Sequence, residues 1–296
     1  MLAGTPRRGA GRASGMSNTS DLTFIVPCKG RLDHLRASLP RLDAQPNCDV
    51  VVVDSRCPDG AADWAAQAFP RTRVVRLDDG GKFNLSRCRN AGLKVCKTPW
   101  VCFIDADVVI STDFRDDVVP QLTEGAYYLF ANFANRSDLT GTCIVDRREA
   151  ERLEGYDEVF EAWGGRDRDF YMRLNLAGLR PVTLPNTAID EIIAHSDDLR
   201  TTFYDRKDIR FSQSVSAMYR LAKFNILSNG GVQCLTARDR RHLYASAEQA
   251  LRQAMQTNSR KAHLQLELPV GGPFAPALGA VRQTLSIEID TARARR

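Results

Sequence analysis

The chain has 296 residues, 43% of them apolar and 26% charged, which is the composition of a globular protein with a sizeable core. A net charge of +5 is too modest to point to nucleic acid, and no apolar run approaches the ~20 residues of a membrane span. The eight cysteines are scattered, with no C-x-x-C pair and no zinc-like spacing, so they read as reduced thiols of a cytoplasmic protein.

Residues 1–21 read as a disordered basic leader. Arg7, Arg8 and Arg12 are followed by no apolar stretch, so this is not a secretory signal. Leu22 to Pro27 is a short apolar strand, followed by the polar loop Cys28-Lys29-Gly30-Arg31. Asp33 to Leu42 carries Leu35, Leu39 and Leu42 at helical spacing. A strand (Asp49–Asp54), a helix (Ala61–Phe69), a strand (Thr72–Leu77) and a helix (Leu85–Lys97, stopped by Thr98-Pro99) come next.

Trp100 to Ile110, WVCFIDADVVI, is the central stretch. Four consecutive apolar residues, Val101 to Ile104, suit a strand covered on both faces. Asp105 and Asp107 stand at its carboxyl end and, two apart, point the same way. Such a pair is either a solvated turn or one side of a cation site. Oxygen-only ligation suits Mn²⁺ or Mg²⁺, and such an ion can hold a diphosphate. The alternation of strand and helix predicts an α/β fold with a mixed, mostly parallel sheet flanked by helices. Ligands of such sheets bind at the carboxyl ends of the strands. Those ends carry Lys29 and Arg31, Asp54 and Arg56, and Asp105 and Asp107. Neither G-x-G-x-x-G nor the P-loop motif is present.

Phe114 to Leu122 reads as a helix. Tyr127–Asn135 and Thr142–Val145 read as antiparallel strands, and Arg147 starts another helix. In GYDEVFEAWGGRDRDF, Trp163 is followed by Gly164 and Gly165, which let the backbone approach a ligand closely. Asp167 and Asp169 open a helix, either as caps or as functional carboxylates. Pro181–Leu184 and Ile189–His195 are further strands. His195 is either a packed or surface residue or a ligand. Phe203–Leu227 and Thr236–Lys261 are helical, and LQLEL and SIEID are weak strand patterns. Arg293, Arg295 and Arg296 read as a solvated tail. The expected organisation is a leader (1–21), one α/β domain (22–228) and a C-terminal helix and tail (229–296).

These stretches together resemble GT-A glycosyltransferases, most closely the beta-1,4-galactosyltransferase-like and family 2-like branches. The resemblance covers about Leu22 to Phe211. IVPCKGRLDHL is similar to the family's nucleotide-contacting opening, and FNLSRCRNAG to its F-N-R-x-x-x-x-N-x-G segment. FIDAD is similar to its metal-binding D-x-D. Gly155 to Asp169 resembles the segment that holds acceptor and base, and Ile193 to Asp197 the segment whose His binds the metal. The chain departs from the pattern in two places. Arg166 stands where the family has a Glu before the base, and Ile192 where it has a metal-ligating Met.

The resemblance implies a metal-dependent, inverting transfer of a sugar from a UDP-linked nucleotide-sugar donor to a carbohydrate or glycolipid acceptor. Asp167 would be the general base. Asp105, Asp107 and His195 would hold Mn²⁺ or Mg²⁺. Pro27, Lys29, Arg31, Asp54, Asn84, Arg87, Asn90, Asp105, Trp163, Gly164, Gly165 and Asp169 would contact donor or acceptor. No nucleic-acid partner and no transmembrane segment are expected; the basic termini allow a peripheral contact with an acidic membrane face. The competing readings are a retaining GT-A enzyme, a sugar nucleotidylyltransferase (for which CKGRLDHL is a poor loop) and a non-catalytic carbohydrate-binding protein.

Overall fold

The computed structural model describes residues 20–78, 80, 82–132, 138–194, 201–231, 233–268 and 283–291. His195, the tail arginines, most of the leader and the end of the strand expected to reach Asn135 lie outside the described residues.

The strands of the main sheet are β1 (Leu22–Cys28), β2 (Cys48–Asp54), β3 (Arg73–Arg76), β4 (Trp100–Phe103), β6 (Ala126–Phe130), β7 (Cys143–Asp146) and β8 (Arg180–Leu184). They lie in the order β3-β2-β1-β4-β7-β6-β8. β3, β2, β1 and β4 run parallel, and so do β6 and β8. The antiparallel pairings β4–β7 and β7–β6 join the two blocks.

The helices are α1 (Leu32–Asp43), α2 (Ala61–Ala68), α3 (Leu85–Leu93), α4 (Phe114–Val118), α5 (Arg147–Arg152), α6 (Arg166–Leu176), α7 (Ile209–Gly230) and α8 (Ala237–Gln256). β1 is buried throughout, and its side chains alternate between two cores, as the strand period requires. Phe24, Val26 and Cys28 join Leu35 and Leu39 of α1 on one face. Ile25 joins Cys88 of α3 and Phe170 of α6 on the other.

Three details depart from the sequence reading. Val108–Ile110 forms a separate strand, β5, which pairs antiparallel with β9 (Ile189–Ile192). The helix expected to run to Leu122 tightens into a 3-10 turn at Val119, where Pro120 cannot donate to an α-helical ladder. The weak LQLEL and SIEID patterns are full strands, β10 (Lys261–Leu268) and β11 (Gln283–Asp290), paired antiparallel. These strands, α7 and α8 enclose a third core around Phe160, Met218, Tyr219, Tyr244 and Leu251.

Candidate active site

A cleft of about 980 Å³ opens where β1 and β4 end, between the start of α6 and one face of α7. Its centre is a residue the sequence reading did not select. Arg89 of α3 is fully buried. Its Nη2 donates to Asp105 Oδ1 at 2.9 Å and to the Gly141 carbonyl at 3.0 Å, and its Nη1 donates to Asp167 Oδ1. The guanidinium also lies 4.7 Å from the centroid of the Tyr156 ring. Burial opposes the charge, and Tyr156, Asp167 and Asp105 more than restore it. A Cβ at Gly141 would fall 2.6 Å from Asp105 Oδ2 and 3.0 Å from Arg89 Nη2, so the loop passes this close only as glycine.

Asp105 and Asp107 both line the cleft, as expected of acids at a strand end. Burial pushes the Asp105 carboxyl up. Arg89 pulls it back, and Asp107 and Asp167 push it further up. Asp167 lies in the first turn of α6, 22% exposed, with its carboxylate at the cleft wall. Gly165 caps that helix in the left-handed region at φ 89°. A Cβ there would lie 2.6 Å from Ser216 Cβ, so glycine lets α6 and α7 meet. Trp163, Gly164, Pro27, Lys29 and Arg31 also line the cleft. Lys29 Nζ sits 5.6 Å from the Phe203 ring and 5.9 Å from the Phe83 ring.

Five residues expected at the ligand stand elsewhere, each for a visible reason. Asp169 is completely buried: Lys223 Nζ donates to it at 2.8 Å and Arg173 Nε at 2.8 Å. Asp54 closes its own loop, accepting from the Cys57 N–H at 2.6 Å. Asn84 caps α3 through Arg87 N–H at 3.1 Å and donates to Glu158 O at 2.8 Å. Asn90 clamps Tyr156, accepting from its N–H at 2.7 Å and donating to its carbonyl at 2.8 Å. Arg87 faces Glu158 at 3.6 Å, on a separate cavity. Arg87 and Arg89 are two residues apart, about 200° round a helix, so when one faces the core the other faces solvent. Arg166, where the resemblance fails, turns inward. It is 3% exposed and donates to the Tyr204 hydroxyl at 2.9 Å and the Ala162 carbonyl.

The signal for Arg89 was chemical rather than periodic. Three acids brought to one cleft need a cation, and FNLSRCRNAG is a short helix with two arginines to choose from.

A mostly parallel sheet flanked by helices, with acids from a strand end and a helix start over one cleft, is the GT-A fold. The sequence agrees: residues 23–180 match the family model described as "Glycosyl transferase family 2". The chain belongs to that family and is a glycosyltransferase.

Among curated proteins it is similar to the "O-antigen biosynthesis protein RfbC" of Myxococcus xanthus, 25% identical over 219 residues. That match takes in 58% of this chain but only 17% of the relative's length. Among solved structures, the mannosyltransferase PcManGT from Pyrobaculum calidifontis, in complex with GDP-Man and Mn²⁺, aligns with TM-score 0.54 and 17% identity. The alignment covers 89% of this chain and 79% of that one. S. aureus TarS in complex with UDP-GlcNAc aligns with TM-score 0.53 and 17% identity, over 79% of this chain and 92% of that one. No helix among the described residues is long and apolar enough to cross a membrane.

Proposed function

We propose that this chain transfers a sugar, with inversion, from a UDP-linked nucleotide sugar to a hydroxyl of a carbohydrate or glycolipid acceptor, with Asp167 as general base. The observation that carries the reading is the arrangement of Asp105 and Asp167 on one buried guanidinium, both at the wall of the same cleft. Asp105, beside Asp107, marks the donor side, and Asp167 faces the volume that Trp163 also lines. The bonds balance with one base. The acceptor hydroxyl gives its proton to Asp167, its oxygen bonds to the anomeric carbon, and the bond from that carbon to the phosphate oxygen breaks. UDP leaves with the electron pair. A direct attack of this kind inverts the carbon.

Arg89 supports this chemistry without touching the substrate. It holds the Asp167 carboxylate in one place, and a fixed base gains from proximity that a mobile one loses. Trp163 lines the same volume and would stack on a sugar ring there. Lys29 and Arg31 offer positive charge to the nucleotide phosphates.

The acids also bear on the metal. No cluster of three or more His, Cys, Asp or Glu side chains that could hold an ion occurs among the described residues. The paired carboxylates at the cleft are Asp107 and Asp105, the latter held by Arg89 through Oδ1. One or two carboxylates completed by substrate phosphates and water suit Mg²⁺ or Mn²⁺ rather than a protein-enclosed ion, so the residues fit. Asp107 would hold it, with Asp105 beside it, and when bound it would neutralise charge on the departing diphosphate.

The test is nucleotide release from a panel of donors by the purified chain. Asp167→Asn keeps the shape of the side chain and removes the base. Release on acceptor addition should fall by ~10²–10⁴ while UDP binding by calorimetry stays near wild type. Transfer at the wild-type rate would mean that Asp167 only anchors Arg89. Activity should also vanish in EDTA and return with Mn²⁺; full activity in EDTA would remove the metal from the reading.

A further inference from the structure

We propose that the acceptor carries a phosphate group and that Arg168 and Arg220, with Arg210 on the same wall, bind it. The proposal rests on the reading of Asp167 as the base and adds to it the class of acceptor.

α7 lines the cleft with Arg210, Gln213, Ser214, Ala217 and Arg220. The spacing of three, one, three and three residues keeps them on one face of the helix. The first turn of α6 places Arg168 next to Asp167 and against the same cleft. The arginine wall therefore adjoins the base and comes from other elements than the β1 loop with Lys29 and Arg31.

The buried cations nearby all have partners. Arg89 has Asp105 and Asp167, Arg173 has Asp169, Lys223 has Asp157 and Asp169, and Arg166 has Tyr204. Arg168, Arg210 and Arg220 make no ion pair among the described residues. The remaining acid of the cleft, Asp290, comes from the end of β11. Arg220 is half-buried, and its Nε is enclosed with no hydrogen-bond partner. Burial and then the charge of Arg168 work against its protonation; Asp169 favours it, but that carboxylate is already engaged by Lys223 and Arg173. Three guanidiniums lining one cleft beside a base, with no ion pair among the described residues, make a site organised for an anion. A phosphate presents enough oxygens to bridge guanidiniums from two helices, whereas one carboxylate fills a single fork.

The experiment titrates glycerol 3-phosphate into the whole chain by calorimetry, with and without saturating UDP and Mn²⁺. Glycerol and glucuronate are titrated in parallel. The wild type should bind glycerol 3-phosphate and not glycerol. The double variant Arg168→Gln/Arg220→Gln should bind it roughly 10- to 100-fold more weakly, with UDP affinity unchanged. Either single variant should melt no lower than wild type, because it relieves repulsion. Equal affinity in variant and wild type, no binding by the wild type, or a loss of UDP affinity in the variant would overturn the subsite. So would a lower Tm. Glucuronate bound as tightly as the phosphate would overturn the choice of phosphate. A wild type that binds the phosphate but not UDP or any nucleotide sugar would instead sink the transferase reading, so the two failures are distinct.

Discussion

Arg89 is where the cost of building the site is concentrated. A fully buried guanidinium between two carboxylates contributes little net stability while intact, but its removal leaves acids without a partner in low dielectric. Arg89→Met should therefore destabilise the protein by about 3–5 kcal/mol in denaturant melts, and Asp105→Asn by less, because Asp105 is 36% exposed and reaches water. Asp157 gives a pH signature. Burial opposes its ionisation, but Lys223 and the Tyr219 hydroxyl, which donates at 2.5 Å, hold the carboxyl down to about 2. A depressed acid stabilises the fold above its unfolded value, near 4, and loses that contribution as pH falls towards 2. Urea melts should lose on the order of 2 kcal/mol across that window, and Asp157→Asn should flatten it. Cys57 gives a second signature. A hydrogen bond from Cys28 and backbone N–H groups, against burial, pull its thiol down to about 6. At pH 7 iodoacetamide should label Cys57 first, ahead of the more exposed Cys234, and mass spectrometry of brief labelling checks the order.

At the scale of elements, the strands were legible because the apolar runs LTFIVP, DVVVVD and WVCF each read as buried, and the pairing of β1 with β2 and β4 fits their alternation with helices. β5 was not legible. Three apolar residues directly after two acids look like the rest of the same strand, and only the distant Ile189–Ile192 gives them a partner. Asp105, Asp107 and Asp167 were legible from their position at a strand end and at a helix start; Asp290 of β11, which lines the same cleft, was not. The asparagines were not: Asn84 and Asn90 carry motif letters, yet their hydrogen bonds go to the 156–158 backbone, a contact that spacing along the chain cannot display. Gly165 allows a test of the element that carries the base. Gly165→Ala adds a Cβ 2.6 Å from Ser216 at a positive φ, so α6 must shift against α7. A stability loss of about 1–3 kcal/mol is expected, with a fall in kcat larger than that in donor affinity.

For the molecule as a whole, the family match ends at residue 180, but the charge balance of the core does not. Asp157 and Asp169 lie inside the matched region, and the ammonium shared between them comes from Lys223 in α7. On a ribosome the acids emerge long before their counter-ion. Until α7 has been made, Asp169 has only Arg173, and Asp157 lacks both Lys223 and the Tyr219 hydroxyl, so the face of the sheet around α6 is without part of its charge balance. Residues 20–180 alone should then be a poor folding unit. Expressed without α7 and α8, they should give the circular dichroism of a loosely packed chain and melt without a sharp transition, whereas adding residues through 291, which include α7, α8 and the β10–β11 pair, should restore cooperativity. A sharp melt of the short piece would mean that Arg173 alone suffices. The stretch by which the family is recognised ends before the lysine that joins Asp157 to Asp169 has been made.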